Sequence, residues 1–242
     1  MAGRRAVTEA IRVGDAFEVL VFGSAKQTPG MRAVLEAAEG AGLTVHQASR
    51  DQLDSLAPNN QGVVARVRAR ARDLTERDIA TFPFSQDAIV VVLDGVSDPQ
   101  NLGAAARSAE AAGSSMLVSR TVRAADVTPA AIRASAGALL HLPHARVANI
   151  PRAIERLQHA GFFVIGLTGE AETTIYDEPC PPGRIAIVIG SEGEGMSRLA
   201  RERCDALVSL PMRGKVGSLN ASASLAAALF GYVYPSPGRN AE

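Results

Sequence analysis

From residue 88 onward, short apolar runs alternate with stretches whose apolar positions recur at helical spacing. The runs cover 88–94 (AIVVVLD), 115–119, 162–168, 184–190 and 206–211. Between them the spacing predicts helices over 101–113, 128–140, 151–160 and 196–204, and a last one near 217–232. Pro151 suits the first turn of its helix, where a missing N–H costs nothing. Strands that are continuously apolar, not alternating, are buried on both faces, so this part reads as a parallel sheet covered by helices. The first 70 residues read differently. Strand-like runs over 17–22, 43–46 and 63–67 surround a helical stretch, 31–42, whose end is marked by Gly40 and Gly42. The expected fold class is therefore α/β: a small α/β domain over 1–70, a linker over 71–86, and a parallel-sheet domain over 87–236.

Composition narrows the class without naming a function. With 47% hydrophobic and 21% charged residues, the chain can bury a core and is not a disordered segment. Its 25 basic and 25 acidic residues balance, which excludes a histone-like polycation but leaves room for local basic patches. One such patch is the segment 66–77, where Arg66, Arg68, Arg70 and Arg72 recur at a spacing of two and so share one side of an extended chain. Two readings stand there: a solvated connector, or a strip that contacts phosphates. Cys180 and Cys204 lack metal-ligand spacing, as do the four histidines, so no metal site is expected. Two thiols without a disulfide framework, no leader-like apolar stretch behind Arg4 and Arg5, and no apolar run near 20 residues predict a cytoplasmic protein without a membrane anchor.

In parallel sheets ligands bind beyond the carboxyl ends of strands. The loops after Leu93, Leu167, Ile189 and Leu210 are therefore the places to look for chemistry. The turn after the first strand, DGVSDPQNLG, lacks the GxGxxG of dinucleotide folds, and RGKVGS at 213–218 is not a P-loop. Three other segments follow apolar strands: LDGVSDPQNLGAAARSAEAAG (93–113), IVIGSEGEGMSR (187–198) and LPMRGKVGSLNASASLAAALF (210–230).

In order, spacing and residue type these three segments resemble the motifs of the SpoU/TrmH family of RNA ribose 2'-O-methyltransferases. NNQGVVARV (59–67) is similar to the end of that family's substrate-binding domain, except that Asn60 stands where the family often has histidine. The resemblance implies several things at once. The methyltransferase domain would end in a deep trefoil knot, and the protein would be a homodimer joined near that knot. S-adenosylmethionine would be the cofactor. The substrate would be structured RNA, first of all a guanosine of 23S rRNA; tRNA or the rRNA site of thiostrepton resistance are alternatives, as is an RNA-binding assembly factor without catalysis.

Residue by residue, the resemblance assigns cofactor contacts to Leu167, Thr168 and Gly169, to Gly190, Ser191 and Gly193, and to Leu210, Met212, Ser218 and Leu219. It assigns Arg107 to catalysis. A guanidinium stays charged, so its safest role is a bidentate clamp on the phosphate of the target nucleotide. Asn101 serves the site or caps the helix that follows it, and Ser218 is open to the same two readings. Asn220 would organise the cofactor loop. Glu192, a carboxylate inside the glycine loop, would orient Arg107 from the partner subunit or stabilise a helix start. Arg66, Arg68, Arg107, Arg213 and Lys215 are the expected RNA contacts. Apolar residues surround the last helix on all sides, as a core helix or a dimer interface of small residues requires.

Overall fold

The computed structural model describes residues 1–23, 28–67, 74–177, 179–215 and 217–233. The N-terminal unit runs α1 (Arg4–Arg12), β1 (Ala16–Phe22), α2 (Pro29–Gly40), β2 (Val45–Ala48), α3 (Arg50–Leu56) and β3 (Val63–Val67). Its sheet has the order β2-β1-β3; β2 lies parallel to β1, and β3 lies antiparallel to it. Local chemistry starts and stops these elements. Thr28 caps α2 ahead of Pro29, and Ser49 with Gln52 forms a reciprocal capping box on α3. Val7, Ile11, Val19, Met31 and Val34 fill the core between α1, α2 and the sheet.

The second unit runs α4 (Glu76–Thr81), β4 (Ile89–Asp94), α5 (Pro99–Ala111), β5 (Met116–Arg120), α6 (Pro129–Ala134), α7 (Ala138–His141) and β6 (His144–Val147). It continues with α8 (Ile150–His159), β7 (Phe163–Leu167), β8 (Ile185–Gly190), α9 (Arg198–Arg203), β9 (Ala206–Val208) and α10 (Ala221–Ala228), and a π-helical turn, Leu229–Val233, closes the described chain. Its six strands form one wholly parallel sheet in the order β6-β5-β4-β8-β7-β9. Alternate side chains of each strand serve opposite faces. Val91, Leu93 and Ile187 pack with α5 and α10, whereas Val90, Val92 and Val188 pack with α8 and α9. Both faces are buried against helices, as the apolar runs predict.

The structure departs from the sequence reading in five places. The helix expected over 128–140 is two helices, because Ala136 (φ 51°) and Gly137 (φ 98°) take left-handed conformations between them. That turn lets Gly137 back onto Glu9 of α1, where a Cβ would meet the Glu9 Cγ at 2.6 Å. His141 bonds the same Glu9 and ties the two units together. The strand β6 was not expected, because His144 and Arg146 interrupt its apolar pattern. The short helices α1, α3 and α4 were not expected either. The helix expected near 217–232 starts only at Ala221. Finally, the stretch 71–86 is not a free connector over its described part: Leu74 bridges to Ala145, α4 lies on α8, and Ile79 and Phe84 enter the core.

Ile79 is fully buried. Ile79→Ala is expected to lower unfolding free energy by about 2–5 kcal/mol. Urea denaturation measures this; a loss near zero would mean that the segment is peripheral.

Candidate active site

The site begins with the parallel register of β4 and β8, which sets Asp94 level with Gly190 at their carboxyl ends. After Gly190 the chain turns back at once: the Ser191 amide donates to the Gly195 carbonyl (3.1 Å), and the Gly195 amide returns the bond (3.0 Å). Here the glycines are obligatory. A Cβ on Gly190 would lie 1.9 Å from the Gly195 carbonyl carbon, and Gly193 and Gly195 have φ of 84° and 68°. The Asp94 carboxylate, only 3% exposed, accepts the Ser197 amide at 2.7 Å and fastens the far end of this turn. The Ser197 hydroxyl in turn caps α9.

The turn is then joined to two helix starts. Asp98 caps α5, accepting the Gln100 amide at 3.0 Å, so Asn101 is not the cap and its side chain is available in the first turn. Asn101 Nδ2 donates to Glu192 Oε1 at 3.1 Å. Asn220, not Ser218, caps α10: its Oδ1 accepts from the Ser222 amide at 2.8 Å. Its Nδ2 donates to Asn101 Oδ1 at 3.0 Å and also to Glu192. Three side chains from the three motif segments thus form one hydrogen-bonded cluster. Within this chain Glu192 serves the two asparagines and not Arg107.

Beside the cluster opens a cavity of about 630 Å3, bounded by the loops after β7, β8 and β9. All ten residues expected to contact a cofactor line it, as do Glu192 and Asn220. Its surface combines apolar groups (Leu167, Leu210, Met212, Leu219) with loop backbone and three carboxylates, Glu170, Glu192 and Glu194. Sequence reasoning missed Glu170, Ile189, Glu194, Gly195, Met196, Gly217, Ala221 and Ser224 as lining residues. All were within reach: Glu170 follows Gly169 on the same loop, and the others lie inside the second and third motif segments.

Other expected residues lie elsewhere. Asn101 does not line the cavity but reaches its wall through Glu192. Arg107 is exposed on α5, off the cavity, and makes no hydrogen bond or ion pair with any described residue. Arg213 and Lys215 are exposed on the 211–217 loop, also off the cavity. The Arg66 guanidinium pairs with Glu18 at 3.1 Å, and Arg68, Arg70 and Arg72 lie outside the described residues. Neither thiol suits nucleophilic work: Cys180 is buried, and burial pushes Cys204 up to about 12. Among the described residues no group of His, Cys, Asp and Glu could hold a metal ion, and no helix is long and apolar enough to cross a membrane.

The fold and site together define an α/β domain with a ligand-sized cavity at the ends of its last three parallel strands, preceded by a small mixed-sheet unit. Residues 88–230 match the SpoU rRNA Methylase family, and residues 2–72 match the family domain described as RNA 2'-O ribose methyltransferase substrate binding. The chain belongs to the SpoU rRNA methylase family. It is 40% identical over 208 residues to the 23S rRNA (guanosine-2'-O-)-methyltransferase RlmB of Photobacterium profundum, covering 85% of this chain and 84% of the relative. It is 36% identical over 222 residues to the RlmB of Escherichia coli K12, covering 90% of each. Among solved structures, the SpoU methyltransferase AviRb of Streptomyces viridochromogenes, in complex with the cofactor AdoMet, superposes with a TM-score of 0.77 at 29% identity, over 96% of this chain and 88% of that one. An RNA 2'-O ribose methyltransferase superposes with a TM-score of 0.79 at 29% identity, over 95% and 85%.

Gly190→Ala is expected to force the turn apart and lower unfolding free energy by about 1–3 kcal/mol, the usual cost of overpacking. Thermal and urea denaturation measure it; wild-type stability in the variant would show that the 190–195 turn can move without cost.

Proposed function

We propose that the protein transfers a methyl group from S-adenosylmethionine to a ribose 2'-hydroxyl of structured RNA, a guanosine of 23S rRNA. The observation that carries this reading is the convergence of all ten expected cofactor residues on one cavity. The cavity suits the cofactor on size and on chemistry. Its volume falls within the range of about 300–1,000 Å3 typical of small-ligand sites. Its apolar groups match an adenine and a thioether chain, and its carboxylates match a molecule carrying sulfonium and ammonium charges. When bound, the cofactor supplies an electrophilic methyl group. The RNA target follows from the relatives, which are named for a 23S rRNA guanosine and align over 84–90% of their length.

The chain's own residues then have distinct tasks. Backbone groups of Gly190, Ser191, Leu210 and Leu219 hold the cofactor, and the Asn101–Glu192–Asn220 cluster keeps the second and third loops in register. Ser218, exposed at the lip, donates to or accepts from the target ribose. Arg107 clamps the phosphate of the target nucleotide and, as a permanent cation, lowers the cost of forming an alkoxide beside it. Arg213 and Lys215 contact neighbouring phosphates. Arg107 does not reach the cavity of its own chain, so a second copy supplies it, and the working form is a cytoplasmic homodimer. Phe230 (46% exposed), in the turn that follows α10, and Leu219 (47%) and Met212 (38%), at the cavity, are large apolar residues open to solvent, which is where a second copy would cover apolar surface. The trefoil knot belongs to the same reading and involves the segments after β8 and β9.

The test is radiolabelled methyl transfer from S-adenosylmethionine to separated, unmethylated 23S rRNA, 16S rRNA and tRNA, followed by nucleoside mass analysis. The expected product is 2'-O-methylguanosine from 23S rRNA. Label in tRNA alone would overturn the target, and no label in RNA or in ribosomal particles would overturn the activity. Arg107→Ala is expected to reduce transfer about 100-fold or more while calorimetric binding of S-adenosylmethionine stays at the wild-type level. Lost cofactor binding would contradict an RNA-side role.

A further inference from the structure

A second cavity, of about 640 Å3, lies wholly within the N-terminal unit and shares no residue with the first. It is bounded by α1, the end of β1, the start of α2, α3 and the 58–62 loop. The loop is unusual: Asn59 and Gln61, neither a glycine, hold left-handed conformations (φ 58° and 55°). Such conformations persist only where surrounding contacts impose them, and they gather at binding sites. Here Asn60 imposes them. Its side chain is 5% exposed; Nδ2 donates to Asp54 Oδ1 (2.7 Å) and to the Ala57 carbonyl (3.0 Å), and Oδ1 accepts the Gly62 amide (2.9 Å). The rim is therefore rigid before any ligand arrives.

Its chemistry is mixed in a particular way. Arg4 donates from Nε to the Gln61 carbonyl (3.3 Å) and from Nη1 to the Thr28 hydroxyl (2.8 Å). Both partners are neutral, so the guanidinium is fixed in place yet has no carboxylate partner among the described residues. Arg50 adds a second cation, exposed and 3.8 Å from Asp54, the one carboxylate of the lining. The apolar part of the lining that solvent reaches is Phe22 and Pro58, above the buried Leu53, and Asn59 is exposed. A fixed cation, an apolar wall and an adjustable amide edge are what a phosphate joined to an unstacked base requires. A paired base cannot use them, because its faces and edge are occupied.

We infer that this cavity binds one unpaired nucleotide of the RNA substrate, with its phosphate on Arg4 and its base against Phe22 and Pro58. The inference rests on the RNA-methyltransferase reading and adds to it that the substrate carries a single-stranded nucleotide remote from the methylated ribose.

The test is fluorescence anisotropy of the full chain with a mixed-sequence single-stranded RNA and with a blunt duplex of the same sequence. Arg4→Gln removes the cation. Asn59→Gly removes the amide yet keeps the left-handed backbone, so it folds even where Arg4→Gln does not. The wild type is expected to prefer the single strand, and each variant to weaken that binding by about tenfold or more, with calorimetric binding of S-adenosylmethionine unchanged. No preference in the wild type, or undiminished preference in Asn59→Gly, overturns the inference. Binding of free AMP or GMP that the variants abolish, without selectivity among RNAs, makes a free nucleotide the occupant and also overturns it. Absence of methyl transfer to any RNA, with strand selectivity still sensitive to the variants, would instead sink the transferase reading and leave this cavity an RNA site.

Discussion

The shape of the cavity at the strand ends depends on how closely the chain can fold back at the end of β8. Gly190 must let the backbone of Gly195 approach within a distance that no side chain permits, and Asp94 must hold the Ser197 amide on the other side. Both conditions are met at one level of the sheet because β4 and β8 are parallel and in register there. Placed so, Glu192 projects from the turn toward the first residues of α5 and the cap of α10, and the asparagines close on it. Lose the turn, and the carboxylate, the α10 cap and the upper wall of the cavity move together. The hydrogen bonds themselves are exposed and individually worth about 1 kcal/mol. Their value lies in joining elements that the sheet core does not otherwise align.

The sequence-legible part of the structure is the part governed by local pattern. The strands β4, β5, β7 and β8 are predominantly apolar runs rich in Ile, Val and Leu, because both faces of a parallel sheet must be apolar, and these runs stand out without any tertiary knowledge. β6 escaped because His144, buried with Nε2 against the Ser119 hydroxyl, places a polar group inside the core and breaks the apolar signature. The break between α6 and α7 escaped for the opposite reason. The apolar pattern runs on through it, while the left-handed turn is dictated by the approach to Glu9, which is 128 residues away from Gly137 along the chain (137 − 9).

The same distinction divides the site. The ten cavity residues were legible because they lie in contiguous motif segments at strand ends. The Asn101–Glu192–Asn220 cluster was not: its members are 91 and 119 residues from Asn101, and each asparagine has an adequate local role as a cap. Asn220 performs that role and the tertiary one at once, its oxygen facing its own helix and its nitrogen facing the site. Asn101 is released from capping by Asp98, three residues earlier.

Arg107 is the remaining case, and there exposure itself is informative. A long cation on a helix with small neighbours finds surface carboxylates readily, and most arginines of the second unit do: Arg146, Arg156, Arg198, Arg201 and Arg203 are all paired. Arg107 has no such partner among the described residues and stands on the same helix face as Gly103, where α5 is pressed against the 131–135 backbone. That contact fixes the helix axially, so the guanidinium is presented on a rigid mount with its charge unspent. In a chain of zero formal net charge, an unpaired, rigidly mounted cation can attract a phosphate that the balanced remainder of the surface does not. The neutrality of the whole therefore sharpens the contrast at Arg107.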